Sequence, residues 1–295
     1  MTPLKITAVA TRQIEAGEAP TDLLPELKAL FPKASPRINR YISLALIGAL
    51  RCAGRAPTPL PPGSRIALAT GMGNVAETQD MVRGILRERE PPMPVKFINI
   101  SGNLAGFQLA ASLGLEGSNL IVSRRDFPFE AALELAMADQ AGGAGGCALV
   151  GGVDECVWPL ADHRALLGLP ADQLLGEGSN WVCIDEAAAR PLARIEWIRH
   201  TAAPEELETL LAQIPWQERQ VHLATGWGVS PGEHVALAAR WQPVQAHPRL
   251  GGGHYHQTLS AYAICRFIEE GMGGALLHLN RDAAGRHCAL YLTMG

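Results

Sequence analysis

The chain has 295 residues, of which 47% are hydrophobic and 18% charged, a composition typical of a globular protein with one large domain or two fused halves. Its formal net charge of -4 gives no electrostatic reason to expect a nucleic-acid partner. No apolar stretch reaches the roughly 20 residues that span a bilayer, and no signal-peptide core is present, so we expect a cytoplasmic protein without membrane attachment.

Along the chain, short apolar runs bounded by glycine alternate with helical patterns, which is typical of layered α/β folds. The strands predicted from these runs, most of them apolar on both faces, are 66–70, 119–123, 147–152, 180–184, 221–225, 275–280 and 288–294. The helices predicted from the helical spacing of apolar residues are 37–52, 75–88, 104–113, 127–140, 204–213, 230–240 and 257–269.

One internal repeat indicates two related halves. The hexapeptide LATGMG at residues 68–73 returns as LATGWG at 223–228, with five of six residues identical and with a strand before and a helix after each copy. We therefore predict an N-terminal half over residues 1–155 and a C-terminal half over 156–295, joined as one compact unit without a flexible linker.

The reactive residue types predict no metal or cofactor site. The six cysteines are widely spaced and include no C-x-x-C pair, so they are expected to be buried, reduced thiols. No carboxylate or cysteine accompanies His247, His254 and His256 at metal-ligand spacing. Gly71 and Gly73 belong to neither phosphate-binding glycine motif and are read as turn residues.

Several phrases together resemble the β-ketoacyl synthases of the thiolase superfamily, and the resemblance covers nearly the whole chain. In chain order the phrases are FINISGN at 97–103, LGLEGSN at 113–119, IVS at 121–123, FEAA at 129–132, ALVGGVDE at 148–155, GEG at 176–178 and GH at 253–254. The resemblance implies a thiolase-like α/β fold with two topologically similar halves in a layered αβαβα arrangement.

The resemblance also implies where the catalytic groups of that family would fall. Its nucleophilic cysteine corresponds to Asp126, its first histidine to Leu223, and its second histidine to His254, with Arg249 in place of a lysine. The family's glycine-rich gate near the C-terminus is replaced by NRDAAG at 280–285. Only one of three catalytic groups therefore remains, and no catalytic residue is assigned.

An aspartate cannot do the work of the missing thiol. Condensation needs a thiolate to accept the acyl chain and two imidazoles to stabilise the enolate. A carboxylate at a helix N-terminus is a good cap and a poor nucleophile, so we expect Asp126 to cap the helix that follows it. Decarboxylation of an extender unit is disfavoured as well, because Asp126 would repel the carboxylate of the substrate.

These departures resemble the chain-length factors of type II polyketide and aryl polyene systems. The expected function is that of a noncatalytic subunit that forms a heterodimer with an active β-ketoacyl synthase and helps to set acyl length in polyketide, aryl polyene or fatty-acid-like biosynthesis. An acyl carrier protein is the second expected partner, with Arg124 and Arg125 as candidate contacts for its phosphopantetheine phosphate. Dimerisation is expected at the sheet edge around residues 119–123.

Two alternatives stay open on the sequence. The chain could be a stand-alone homodimeric acyl-thioester hydrolase or acyltransferase that uses Asp126 with His254, or a scaffold without an acyl tunnel. The sequence identifies neither the partner synthase nor the acyl length.

Overall fold

A computed structural model describes residues 2–91, 94–143, 145–248 and 253–295 of the chain. Arg249, which was expected to stand in the place of a catalytic lysine, lies outside these described residues. The strands are β1 (Leu4–Ala10), β2 (Gln13–Glu15), β3 (Arg65–Thr70), β4 (Asn119–Ser123), β5 (Cys147–Asp154), β6 (Gly176–Asp185), β7 (Ala193–Thr201), β8 (Val221–Thr225), β9 (Gln245–Pro248), β10 (Ala275–Arg281) and β11 (His287–Met294).

The α-helices are α1 (Leu24–Leu30), α2 (Arg40–Arg55), α3 (Val75–Arg83), α4 (Pro94–Asn99), α5 (Leu104–Leu113), α6 (Pro128–Ala141), α7 (Leu160–Leu167), α8 (Pro204–Leu211), α9 (Pro231–Trp241) and α10 (Leu259–Glu269). A π-helical turn over Gly84–Glu88 continues α3. Each predicted strand and helix has a counterpart here. The sequence missed the half-polar or short elements, namely β1, β2, β7, β9, α1, α4 and α7.

The strand order divides the sheet into two sets with the same topology. One set runs β4-β3-β5-β6-β1 and the other β9-β8-β10-β11-β7. Within each set the first three strands are parallel and the last two are antiparallel to their neighbours. The sets join where β1 pairs with β7. The two copies of the LATG repeat end β3 and β8, which occupy equivalent places in the two sets.

Three hydrophobic clusters show the layering. The largest contains α6 and α10 packed between strand residues of both sets, such as Val150 and Leu290. A second packs α2 and α5 on the first set, and a third packs α8 and α9 on the second. The architecture is therefore helix, sheet, helix, sheet, helix, as the predicted αβαβα arrangement requires.

The boundary between the halves stays a prediction at residues 155 and 156. Because β6 pairs with β5 on one side and β1 on the other, it belongs topologically to the first set. We therefore propose a later boundary, between β6 and β7.

Candidate functional site

A cavity of about 280 Å³ lies at the ends of β8 and β10, between the turn before α6 and the segment before α10, and we call it the central cavity. Strands β8 and β10, the turn before α6, the segment before α10 and the end of α7 all contribute to its wall. Its lining residues are Arg125, Asp126, Phe127, Leu167, Leu169, Thr225, Gly226, Trp227, Gly228, Tyr255, His256, Gln257, Leu259, Ser260, Ala263, His278, Asn280, Arg281, Asp282 and Ala283.

The turn from β4 into α6 carries Asp126, the expected nucleophile position. Helix α6 begins at Pro128, and Phe127 occupies the N-cap position in a left-handed conformation (φ 54°), with no side-chain cap hydrogen bond. The expectation that Asp126 caps this helix is therefore wrong. A bulky residue with positive φ is strained, so the surrounding packing must hold this turn in place.

Asp126 lies at the wall of the central cavity and is partly exposed. No described residue forms a hydrogen bond with its carboxylate. Burial raises the pKa of Tyr255 to about 12, and the negative charges of Asp154 and Asp126 add to that rise. Asp126 is thus a charged group beside a phenol that stays neutral, without an adjacent base to activate it.

Leu223 does not reach the central cavity. Its side chain is buried on the outer side of β8 with the α8 and α9 cluster. Thr225 and Gly226, at the end of the same strand, line the cavity instead. His222, the neighbour of Leu223, stacks on His247 with ring centroids 5.6 Å apart and is also absent from the cavity wall.

His256 lines the cavity in the region where His254 was expected. His254 is half-buried outside the lining, with its Nδ1 3.6 Å from Glu15 Oε1. The His256 ring is buried, and both nitrogens have partners: Nδ1 lies 3.1 Å from Thr258 Oγ1, and Nε2 lies 2.9 Å from Gln13 Oε1. His256 is consequently held in place through both ring nitrogens.

Asp154, at the end of β5, ties the two halves together beside the cavity. Its Oδ1 accepts hydrogen bonds from Thr70 Oγ1 (2.9 Å) and from the backbone N–H of Gly71 (2.8 Å). Its Oδ2 accepts from the backbone N–H of Thr258 (2.7 Å), just before α10. A carboxylate satisfied by three donors fixes the first repeat turn against the C-terminal half.

The residues that replace the glycine-rich gate, 280–285, end β10 and form most of the turn between β10 and β11. Asp282 accepts hydrogen bonds from the backbone N–H and the Nε of Arg286, at 2.8 and 2.7 Å, and Gly285 has a positive φ of 84°. Arg281 forms an ion pair with Glu233 at 3.1 Å. The contacts between Asp282 and Arg286 close the turn on itself, as expected for a tight hairpin connection, and the Arg281–Glu233 pair ties the end of β10 to α9.

None of the six cysteines lines the central cavity. Burial raises the pKa of all six thiols. Because the thiolate is the nucleophile, a raised pKa makes these side chains weaker nucleophiles at neutral pH.

Sequence reasoning missed one polar pair beneath the cavity. His278, on β10, lines the cavity, and its Nδ1 lies 4.0 Å from Oε1 of the buried Glu130 on α6. Burial lowers the pKa of His278 to about 4 and raises the pKa of Glu130. A histidine within the apolar run ALLHLN was the available signal, since buried polar groups in strands need partners.

The described residues contain no group of three or more histidine, cysteine, aspartate or glutamate side chains that could hold a metal ion. Within the same ranges, no helix is both long and apolar enough to cross a membrane.

Comparison with solved structures identifies the fold. The ishigamide ketosynthase/chain length factor superimposes with a TM-score of 0.77 at 18% identity, covering 99% of both chains. A type II PKS ketosynthase in complex with its acyl-carrier protein and bound to the hexaketide superimposes at 0.73 with 13% identity, covering 100% of both. The 3-oxoacyl-(acyl carrier protein) synthase III FabH from Pseudomonas aeruginosa PAO1 gives 0.63 with 14% identity over 99% of this chain and 98% of that one.

The chain therefore has the thiolase-like fold of the ketosynthases, as the sequence predicted. No protein-family model matches it. No curated protein matches it either.

Proposed function

We propose that this protein is a noncatalytic β-ketoacyl synthase-like subunit, a chain-length factor, that forms a heterodimer with an active synthase. The observation that carries the proposal is a cavity at the heart of a ketosynthase fold whose lining includes no cysteine. Without a thiolate the chain cannot accept an acyl group for condensation.

The imidazoles near the cavity support the same conclusion. Both ring nitrogens of His256 have side-chain partners, and His278 is held neutral by burial. Enolate stabilisation in the condensing reaction calls for donors free to face the developing oxyanion, whereas of the two imidazoles in this lining His256 is engaged by side-chain partners and His278 is buried. The protein is thus better suited to shaping a space for an acyl chain than to reacting with it.

A protein partner is favoured by an exposed surface on the first half. The outer edge of β4 has no pairing strand among the described residues. Exposed large apolar side chains lie on the elements between β3 and β4 and on β4 itself, and we call this set the apolar patch: Val82, Ile85, Leu86, Phe97, Ile98, Phe107 and Leu120. An open strand edge can pair with another chain, and exposed apolar side chains gathered on neighbouring elements mark interaction sites.

The names of the structural neighbours suggest the biological setting. One is a ketosynthase/chain length factor, and another is a ketosynthase in complex with its acyl-carrier protein. By analogy we propose an active synthase and an acyl carrier protein as partners, in a cytoplasmic polyketide, aryl polyene or fatty-acid-like pathway. Arg124 and Arg125, both exposed beside the turn before α6, are our candidates for contact with the carrier's phosphate.

The direct test is intact-mass analysis of the purified chain after incubation with malonyl- and acyl-carrier protein. We expect no covalent adduct on the chain and no release of carbon dioxide. An acyl adduct, or turnover by the chain alone, would overturn the proposal.

A second candidate is a stand-alone hydrolase or acyltransferase, favoured by the carboxylate of Asp126 at the cavity wall without a hydrogen-bond partner among the described residues. In that case Asp126→Asn should abolish hydrolysis of acyl thioesters by the wild type. Because Asp126 is not a helix cap, we expect the substitution to leave the melting temperature unchanged. His254, the proposed second group, lies outside the cavity lining and has Glu15 as its neighbour, which speaks against this candidate.

A further inference from the structure

A second cavity, which we call the side cavity, shares Phe127 with the wall of the central cavity. Its volume of about 360 Å³ lies within the range of small-molecule pockets. Its lining comes from the turn before α6, the end of β7, the start of α8 and the turn before β11, and consists of Arg124, Phe127, His200, Thr201, Ala202, Glu206 and Arg286. Among the described residues Phe127 alone belongs to both linings, so the two cavities are separate candidate sites.

The adjacent residues Arg124 and Arg125 line different cavities. Arg125 belongs to the wall of the central cavity, whereas Arg124 belongs to the wall of the side cavity. Arg124 is exposed, and its side chain forms no hydrogen bond or ion pair with a described residue. Its guanidinium group can therefore offer its N–H donors to a ligand in the side cavity.

A second guanidinium group lines the side cavity from the turn before β11. Arg286 donates a hydrogen bond from Nε to Asp282 Oδ2 at 2.7 Å, and this contact orients the side chain. Its two terminal nitrogens have no hydrogen-bond partner among the described residues, and the side chain is 59% exposed. The N–H donors of Arg286 are therefore within reach of a ligand that enters from solvent.

The carboxylates around the side cavity are already engaged. Glu206 belongs to the lining, and its Oε2 accepts a hydrogen bond from the backbone N–H of Ala202 at 2.8 Å. Glu134 Oε1 lies 2.9 Å from His200 Nε2. Arg124 thus brings a positive charge that no carboxylate of the described residues contacts, and this charge favours an anionic ligand.

Two aromatic rings complete the wall. Phe127 and His200 pack together with their ring centroids 5.8 Å apart. A phosphate monoester carries close to two negative charges at pH 7 and has three terminal oxygens, which suits two guanidinium groups from separate segments. A single carboxylate needs one guanidinium group and would leave the other unused. The rings suit the organic part of such a monoester.

We propose that the side cavity binds a small organic phosphate monoester, with its phosphate on Arg124 and Arg286 and its organic part against Phe127 and His200. The contact with the phosphate of the carrier protein then falls to Arg125, which lines the central cavity. The site depends neither on the central cavity nor on pairing with a synthase, so it is tested on this chain alone.

The test is isothermal titration of the full-length chain, in a buffer without phosphate, with phenyl phosphate and with inorganic phosphate. We expect phenyl phosphate to bind at least about fivefold more tightly, because its ring adds apolar contact. Arg124→Met should weaken the binding of phenyl phosphate at least about tenfold, because it removes hydrogen bonds to a charged group. Since Arg124 is exposed and has no partner among the described residues, the variant should fold normally.

Two further variants separate a specific site from general attraction of anions. Arg125→Met removes the same charge from the same turn, but Arg125 lines the central cavity, so at physiological salt the affinity should change less than about twofold. Glu206→Gln should strengthen binding, because it removes a negative charge from the lining while its amide oxygen can still accept the Ala202 N–H. General loss of structure would not produce such a gain.

Four results would overturn the proposal. They are no binding of phenyl phosphate, an equal affinity for inorganic phosphate, an equal loss in Arg124→Met and Arg125→Met, and weaker binding by Glu206→Gln.

Discussion

The buried His278 side chain lowers the stability of the folded protein at acidic pH. Its ring is buried, its Nδ1 has no hydrogen-bond partner among the described residues, and burial lowers its pKa from 6.5 to about 4. The unfolded chain therefore binds a proton that the folded chain rejects, so this residue makes the protein lose stability as the pH falls from about 6.5 to 4. The loss amounts to about 3 kcal/mol, because one pKa unit corresponds to roughly 1.4 kcal/mol.

His278→Leu should remove both destabilising features of this site, the unpaired buried nitrogen and the histidine that takes up a proton on unfolding. A leucine of similar size leaves no unpaired nitrogen and has no charge to bury, so we expect a higher melting temperature at pH 7 and a larger gain at pH 5. Circular dichroism melts between pH 4 and 8 measure this directly. A lower melting temperature for the variant throughout that range would contradict the description of His278 as an unsatisfied group.

The positions of single site residues could be predicted from the sequence only in part. The sequence correctly predicted that Asp126 lies in a strand-to-helix turn. The helix begins two residues later, at Pro128, so Asp126 does not cap it. Thr225 rather than Leu223 reaches the cavity, because two residues along a strand move a side chain by about 7 Å. His278 could not be found from a motif, since its importance depends on Glu130, far away in the sequence.

At the element scale, an ion pair between Arg40 and Glu177 joins α2 to strand β6. Arg40 Nε lies 2.7 Å from Oε1 of Glu177, which is 0% exposed, and a second guanidinium nitrogen contacts the other carboxylate oxygen. Removing the arginine leaves a buried carboxylate whose one remaining donor among the described residues is the backbone N–H of Cys156. We expect Arg40→Met to lower the free energy of unfolding by about 3–5 kcal/mol.

A surface ion pair provides the comparison for Arg40. Arg266 and Glu270 lie 2.6 Å apart, but both side chains are about two-fifths exposed. Arg266→Met should cost less than about 1 kcal/mol. Urea unfolding of both variants measures the two losses of unfolding free energy. Similar losses would mean that the buried Arg40–Glu177 pair stabilises the fold no more than a surface ion pair does.

The apolar patch is the other element-scale feature that can be tested. Phe107 on α5 and Val235 on α9 are equally exposed, at 63% and 64%, but only Phe107 belongs to the patch. We expect Phe107→Lys to abolish co-purification with a cysteine-bearing synthase, because a lysine would be buried against the partner. Val235→Lys should leave co-purification unchanged, and a loss with both variants or with neither would refute the patch as the interface.

At the scale of the whole molecule, the fold was accessible from the sequence and its details were not. Apolar runs identified the buried strands, and the LATG repeat identified two equivalent positions in the sheet, because both features follow from burial in a layered core. The sequence did not predict strands β2, β7 and β9. Strands β2 and β9 are short, and β7 alternates between buried and partly exposed side chains. The cavity depends on contacts across the two halves, which no local pattern encodes.

Subunit pairing tests the central claim most directly. The measurement is native mass spectrometry of this chain co-expressed with a cysteine-bearing β-ketoacyl synthase from the same genome. We predict a complex with one copy of each chain, in which acyl groups supplied by the carrier protein are found only on the synthase. A homodimer of this chain that does not bind the synthase and that hydrolyses or transfers acyl groups from thioesters would contradict the account.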